Sequence, residues 1–235
     1  MTFIFWLAAI LVLLSLGYAA LVMVAWRRYG HPRHPVRDEV DPLLDRFFPN
    51  YDVVERHHIT INAPPEIVLA AASQMNMQQS PVVRAIFAIR AFVLRAAPDA
   101  TPRPTGLLDQ MRSLGWGDLA IAPGREVVMG AVTQPWDPSP RFQALPPDSF
   151  ASFREPGFVK IAWTLRADSR HAGGCDFWTE TRAVATDDAA RRRFRWYWAR
   201  FSPGVALIRY LSLVPLKAEA EKRARLSDWS CVRLH

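Results

Sequence analysis

The chain has 235 residues, and its formal net charge of +7 rests on arginine, because only Lys160, Lys217 and Lys222 are lysines among the 29 basic residues. About 185 residues remain after the N-terminal apolar segment and its flank, which is enough for one domain with a core and hardly enough for two. No nucleic-acid-binding fingerprint accompanies the charge, so we expect an anionic membrane surface as the partner and no nucleic acid.

The N-terminal segment has the strongest signal. Residues 2–26 are uncharged, and at about 1.5 Å per residue a helix of this length exceeds the roughly 30 Å of bilayer hydrocarbon. No Lys or Arg precedes the run, and no small-x-small site closes it, which argues against a cleaved signal peptide. We predict a transmembrane helix at 2–26, with Trp26 at the headgroup boundary.

Charge flanks this helix on one side only. Arg27 and Arg28 follow it directly, and Arg33 and Arg37 lie in the stalk that we predict for residues 27–50, whereas the N-terminal side offers only its amine. Positive residues favour the cytoplasmic side. The high content of Arg, Ala and Pro is typical of a GC-rich bacterial genome. We therefore expect a single-pass protein of the bacterial inner membrane with a cytoplasmic domain.

The candidate metal ligands are few. His31 and His34 have helical spacing, but the prolines between and after them argue against a helix. Cys175 and Cys231 match no zinc spacing, so we expect two unpaired thiols, with one disulfide in an oxidising compartment as the alternative. The sequence predicts no metal site and no cofactor, and it leaves the oligomeric state open.

The first part of the domain alternates one strand with helices. Residues 41–50 form a short amphipathic piece that we expect to pack on the domain rather than enter the bilayer surface. Residues 51–63 show the β-branched, alternating pattern of a strand. Pro64 and Pro65, followed by Glu66, are typical of a helix N-terminus.

A second helix is predicted to begin at Ser80-Pro81, with the serine as its cap. We expect that helix to be mostly buried. The proline-rich residues 97–106 predict a loop, and a short helix from Leu107 is stopped by Gly115.

The second part of the domain is dominated by strands. Residues 117–133 predict a β-hairpin around a Pro-Gly turn, and the proline-rich residues 136–157 predict a long loop. The segments 158–167 and 175–185 both alternate and are expected to pair antiparallel. Residues 188–225 predict a helical region with one strongly apolar face, in which Pro203 and Pro215 either kink the helix or restart it.

The order of these elements carries a family resemblance. The segment ITINAPPEIVLAAAS resembles the opening strand and helix of the START-like superfamily, also called SRPBCC or polyketide-cyclase-like proteins, and the final aromatic helix fits as well. The resemblance covers 51–225, leaving 226–235 as a C-terminal tail. It implies an α+β helix-grip fold, in which a curved antiparallel sheet wraps the long C-terminal helix and leaves an apolar cavity.

The resemblance implies that the function lies in that cavity, which in this family binds lipids, quinones or polyketides. We therefore predict binding of a hydrophobic or amphipathic small molecule, with a cyclase or aromatase-type enzyme and a ligand-free interaction module as alternatives. The residues expected to line the cavity are Ile161, Trp163, Phe177, Thr179, Trp198, Phe201 and Val205.

No catalytic residue is predicted, because the sequence contains no P-loop, nucleophile elbow, HExxH helix or Rossmann glycine pattern. His57 and His58 are adjacent on a strand, so one of them points inward, where it is more often a core histidine than a base. Glu180 and Arg182 share a strand face and are expected to pair on the exterior surface, with a pairing across the cavity as the alternative.

Basic residues beside aromatic ones at the start of the final helix usually form a solvated face. Next to a membrane anchor they also suit anionic headgroups. The residues expected at the membrane surface are Arg27, Arg28, Arg191, Arg192, Arg193 and Arg195.

Overall fold

The computed structural model describes residues 2–96 and 104–232, with side chains described for 4–96 and 104–227. The elements in chain order are α1 (Thr2–Arg28), a 3-10 turn (Arg37–Glu39), α2 (Pro42–Asp45), β1 (Val53–Ile61), α3 (Pro65–Gln74), a second 3-10 turn (Met77–Gln79), α4 (Pro81–Leu94), α5 (Leu107–Ser113), β2 (Gly117–Ala122), β3 (Glu126–Thr133), β4 (Phe142–Gln143), α6 (Pro147–Ser152), β5 (Val159–Ser169), β6 (Cys175–Ala185) and α7 (Asp188–Val232).

The helix α1 is long and apolar enough to cross a membrane over Ile4–Arg28, and the protein buries none of its most apolar stretch. It is followed by an extended stalk in which Gly30 takes a positive φ of 78°. His31 and His34 lie in this non-helical stalk, as the prolines predicted.

The strands form one antiparallel sheet in the order β1-β6-β5-β3-β2, with β4 added to β3. The predicted hairpin and the predicted pairing of 158–167 with 175–185 are both confirmed. The fold is therefore α+β, with a six-stranded antiparallel sheet and a long C-terminal helix, as predicted. The proline-rich residues 136–157 are not a plain loop, because they contain β4 and α6.

Each face of the sheet is covered by helices. The odd-numbered residues of β1, β3, β5 and β6 share what we call the inner face, which packs on α3, α5 and the C-terminal half of α7. The even-numbered residues form the outer face, which packs on the segment around α2 and on α6. Leu44, Phe47 and Phe48 are buried there, so the predicted packing of residues 41–50 on the domain is confirmed.

Two features of the helices differ from the sequence-based expectation. α4 begins at Pro81 with Ser80 capping it, as predicted, but of its residues only Val83 is buried, so the expected burial of this helix is wrong. α7 continues through both Pro203 and Pro215 without ending. It also extends through 226–232 of the predicted tail, whereas 233–235 and residues 97–103 of the predicted loop lie outside the described residues.

Candidate functional site

The centre of the inner face carries polar side chains in an otherwise apolar layer. Glu55 and His57 both point to this face, because alternate residues of a strand share a side. The register places Glu55 opposite Thr181 and His57 opposite Thr179. Opposed side chains in an antiparallel pair lie about 5 Å apart at their Cβ atoms. Four polar groups from two strands therefore meet at one place.

Arg209 of α7 joins these four residues from the opposite layer, and we call the five residues the inner polar group. The guanidinium donates hydrogen bonds to the hydroxyls of Thr179 and Thr181. Burial lowers the pKa of Arg209 to about 10, although the negative charges of Glu55 and Glu180 raise this pKa. Arginine has five N–H donors, so two hydroxyl contacts leave it with capacity to bind a ligand oxygen.

Two ring nitrogens near this group have no hydrogen-bond partner among the described residues. Trp163, which is 6% exposed and lies directly opposite Thr181, has an unpaired Nε1–H. His57 Nε2 is also buried without a hydrogen bond, with Glu55 Oε2 at 3.5 Å. A buried polar atom without a partner costs about 1–3 kcal/mol. A ligand oxygen placed here would recover that free energy.

The middle of α7 lies over this group, and we call residues 198–209 its middle stretch. Phe194 packs with Val53 at one end of β1, and Lys217 donates a hydrogen bond of 2.9 Å to the carbonyl of Thr60 near the other end. Pro203 lies within the middle stretch, where a missing N–H favours bending.

The residues predicted to line a cavity are brought to this region, although ligand contact by them stays a prediction. The strands place all four predicted β residues on the inner face. Phe177 and Trp163 belong to the buried core there, with Ile161 packed against it, and Thr179 is buried in the inner polar group. The three helical residues are only half-buried and lie in the middle stretch of α7: Trp198, Phe201 and Val205.

The outer face also buries charged side chains, but there the arginines meet carboxylates. Arg182 is 1% exposed and binds Glu180 at 2.6 Å, while Arg56 binds the other oxygen of Glu180, also at 2.6 Å. Asp45 of α2 is a further partner of Arg182. The pairing of Glu180 with Arg182 therefore lies away from the inner polar group, as expected, but beneath α2 rather than on an exposed surface.

Two further ionisable side chains on the outer face have displaced pKa values. Burial raises the pKa of Glu126 to about 8, and the neighbouring Asp41 acts in the same direction. Burial lowers the pKa of Lys160 to about 8, with a smaller contribution from Arg154. The Lys160 ammonium lies 4.9 Å from the centroid of the Phe150 ring. These side chains are enclosed by α2 and α6 and serve the packing of that layer.

A cavity of about 240 Å³ lies where the stalk meets the start of α7. Arg191, Arg192 and Arg195 line it, together with Tyr29 and Asp188. A second cavity, of about 260 Å³, lies at the end of the sheet that carries Val132 and Arg141. Neither is part of the inner face.

The arginines predicted at the membrane surface divide into two groups. Arg195 is already engaged, because its guanidinium lies 4.1 Å from the ring centroid of Trp26 and donates to the Trp26 carbonyl at 3.0 Å. Arg191 is half-exposed and pairs with Asp52 at 2.9 Å. The remaining residues of the predicted set are exposed: Arg27, Arg28, Arg192 and Arg193.

Cys175 is a buried free thiol, and burial raises its pKa to about 11. The side chain of Cys231 lies outside the described residues. Among the side chains that are described, no cluster of three or more His, Cys, Asp or Glu residues is placed to hold a metal ion.

Sequence reasoning singled out neither Glu55 nor Thr181, and it missed Arg209, the residue that completes the inner polar group. A signal for Arg209 is present, because it is the one charge in the apolar stretch VALIRYLSLV at 205–214. A charged residue in a helix face that is otherwise apolar needs a specific partner. The partners themselves could not be read from the sequence, since they depend on how β6 lies beneath α7.

Comparison of the sequence with protein-family models and with curated proteins gives no match. Among solved structures, protein CV1439 from Chromobacterium violaceum is 15% identical, with 72% of this chain and 97% of that chain covered and a TM-score of 0.28. Protein DR_A0006 from Deinococcus radiodurans is 14% identical, with 64% and 98% covered and a TM-score of 0.26. TM-scores of this size support no functional argument. The argument for a function therefore rests on the residues of this chain itself.

Proposed function

We propose that this chain is a START-like domain, tethered to the bacterial inner membrane by α1, that binds an apolar or amphipathic small molecule such as a lipid, a quinone or a polyketide-type compound. The ligand lies between the inner face and the middle stretch of α7. Its polar oxygen accepts hydrogen bonds from Arg209 and Trp163, and its apolar part contacts the aromatic residues of both layers.

The observation that carries this proposal is the unsatisfied polarity of a buried apolar layer. Arg209 forms no ion pair with any described residue, although every buried arginine of the outer face has a carboxylate partner. The Trp163 N–H on the same face is also unpaired. A carboxylate or carbonyl oxygen is a suitable acceptor for either donor, and charged hydrogen bonds of this kind are worth about 1.5–3 kcal/mol.

The direct test is to purify the full chain in mild detergent and identify co-purified small molecules by mass spectrometry after solvent extraction. Binding is then measured with two probes, cis-parinaric acid for a carboxylate head and decylubiquinone for a carbonyl head. We expect at least one probe to bind with micromolar affinity or better. Failure of both probes, together with an extract that matches an empty-detergent control, would overturn the proposal in favour of a ligand-free interaction module.

The placement of α1 across the bilayer is part of the same proposal, with Arg27 and Arg28 holding the domain on the cytoplasmic side. Fusing green fluorescent protein or alkaline phosphatase to the C-terminus tests the orientation in a Gram-negative host. We expect fluorescence from the first fusion and no activity from the second. The opposite pattern would place the domain in the periplasm.

The cavity lined by Arg191, Arg192 and Arg195 supports contact with anionic headgroups at the end of α1. The expected ligand is a lipid phosphate, since arginine N–H groups match phosphate geometry. Retention of phosphatidylglycerol during delipidation, followed by native mass spectrometry, tests this. We expect Arg192→Gln to retain fewer phosphatidylglycerol molecules than the wild type, whereas Arg141→Gln, an exposed control at the other cavity, retains the wild-type number.

A second candidate function is catalysis of the cyclase type at the same site, which the pair of Glu55 and His57 favours. His57 Nε2 lies 3.5 Å from a carboxylate oxygen of Glu55, an arrangement that can hold an imidazole as a general base. Mass spectrometry distinguishes the functions. If the site is catalytic, His57→Gln accumulates the unreacted substrate, whereas the wild type holds the product. If it is a binding site, the wild type and His57→Gln hold the same compound.

A further inference from the structure

The helix α4 exposes apolar side chains to a degree that a soluble surface rarely does. Phe92 is 84% exposed, Ile89 is 61% exposed, and Phe87 and Val93 are each about half-exposed. Between Arg84 and Arg90 the helix carries no charge. A helix that is apolar almost all round is normally buried in protein or in a membrane, and contiguous exposed apolar patches mark an interaction site.

α4 lies against the middle stretch of α7. Ile86 packs so closely on Gly204 that a Cβ added there would lie 3.0 Å from its Cγ2 atom. Arg90 donates a hydrogen bond of 3.2 Å to the Tyr197 hydroxyl, so its charge is turned toward α7. Most of the other residues of α4 are exposed.

α7 also exposes apolar side chains, and they lie on one helical face. Leu207, Tyr210 and Val214 are exposed by 44%, 65% and 64% and are spaced three and four residues apart, so they share a face. The same spacing, carried back toward the N-terminus of α7, leads through Pro203 and Arg200 to Trp196. We call these exposed residues of the two helices the α4–α7 surface.

Contacts between α1 and α7 place this surface relative to the proposed span. Trp26 lies against Trp196, with ring centroids 4.6 Å apart, and the Tyr18 hydroxyl bonds to the carbonyl of Arg200. These two contacts place residues 196–200 of α7 beside the C-terminal part of α1. Tyr18 lies about 12 Å along α1 from Trp26, so the carbonyl of Arg200 lies at a depth within the proposed span.

We propose that the α4–α7 surface is embedded in the acyl chains of the leaflet next to the C-terminal half of α1, so that the domain is held by a spanning helix and by a second, monotopic contact. This inference rests on α1 spanning the bilayer. Its occupant is lipid, because the face of α7 that contacts α1 is the face that continues as the exposed residues. The charges at the two ends of α4, Arg84 and Arg95, are placed to reach the headgroups.

The experiment uses the full chain in liposomes of phosphatidylcholine and phosphatidylglycerol. A single cysteine labelled with the fluorophore NBD replaces Phe92, in a background in which Cys231 is serine and the buried Cys175 is left unlabelled. Ile121→Cys on β2 is the matched control, since Ile121 is an apolar residue that is 55% exposed on an edge strand of the sheet. Leu11→Cys reports on α1 itself.

We expect lipids with doxyl groups on their acyl chains to quench the label at residue 92 at least half as strongly as the label at residue 11. We expect aqueous iodide to quench it at least threefold less than the label at residue 121. Iodide quenching equal to that at residue 121 would overturn the proposal, and so would protection from both quenchers, which would indicate a second copy of the chain on this surface. If the label at residue 11 also escapes the doxyl groups, the span itself has failed, which separates the two proposals.

Discussion

The two faces of the sheet both carry charged residues, but they pair them differently. On the outer face, Arg182 meets Glu180 and Asp45, and the layer is closed by α2 and α6. On the inner face, the partly exposed Arg209 donates to two threonine hydroxyls and forms no ion pair with a described residue. A cation with carboxylate partners has little capacity left, whereas one without them can still bind an oxygen of a ligand. The paired layer and the proposed ligand site thus lie on opposite sides of one sheet.

The largest effect is expected from breaking the outer network at Arg182. Arg182→Met leaves the buried carboxylate of Glu180 with one partner fewer, and removing one member of a buried ion pair costs about 3–5 kcal/mol. Denaturant unfolding of the full chain in detergent micelles measures the loss. The control Arg200→Met removes an exposed arginine of α7 and is expected to change the free energy of unfolding by less than about 1 kcal/mol. Equal effects of the two substitutions would refute a structural role for the outer network.

The next effect concerns pH and Glu126. Because burial raises the pKa of this carboxyl from its ordinary 4.5 to about 8, the folded state holds the proton over a range in which the unfolded state has lost it. Its contribution to stability is therefore complete below pH 4.5 and is lost as the pH rises to about 8. At about pH 8.5, we expect the free energy of unfolding of Glu126→Gln to be about 1–3 kcal/mol larger than that of the wild type.

Unfolding curves at several pH values check this prediction. The difference between Glu126→Gln and the wild type should shrink toward pH 5. A difference that does not depend on pH would show that the outer face tolerates the ionised carboxylate.

On the inner face, Arg209→Met is expected to lower the affinity for ligand and to leave stability nearly unchanged, the opposite of a substitution that acts on stability, such as Arg182→Met. We expect the affinity for the carboxylate or carbonyl probe to fall about 10- to 100-fold, because a charged hydrogen bond is removed. Stability should change by less than about 1.5 kcal/mol, since no buried carboxylate is left unpaired. The affinity of Arg209→Lys, which keeps the charge and loses the planar fork, should lie between those of the wild type and Arg209→Met. A large stability loss with unchanged affinity would make Arg209 a structural residue.

The smallest effect is expected at Trp163. Trp163→Phe removes the unpaired N–H and keeps most of the ring, so stability should change by less than about 1 kcal/mol, while the probe's affinity falls about fivefold. Trp178→Phe on the outer face is the control and should leave the affinity unchanged. Titration of the two probes against both variants measures the difference. Equal affinities of wild type and Trp163→Phe would remove this donor from the proposed site.

Local patterns predicted the elements well because their causes are local. The alternation in β5 and β6 placed Trp163 and Thr179 on the inner face, and the serine before Pro81 marked the start of α4. The burial of α4 was predicted wrongly, since an apolar helix looks the same whether protein or lipid covers it. The exposure of Phe92 becomes evident only once the neighbouring helices are in place.

By itself, the sequence determined the apolar helix α1, the order of strands and helices, and the alternation that gives each strand two distinct sides. These follow from side-chain size, polarity and backbone preference over a few neighbouring residues. Only the tertiary structure decided which polar residues are neutralised and which are left open. Arg182 meets Asp45, far away in the sequence, and Arg209 meets the hydroxyls of β6, because the sheet order and the position of α7 over the inner face bring distant segments together.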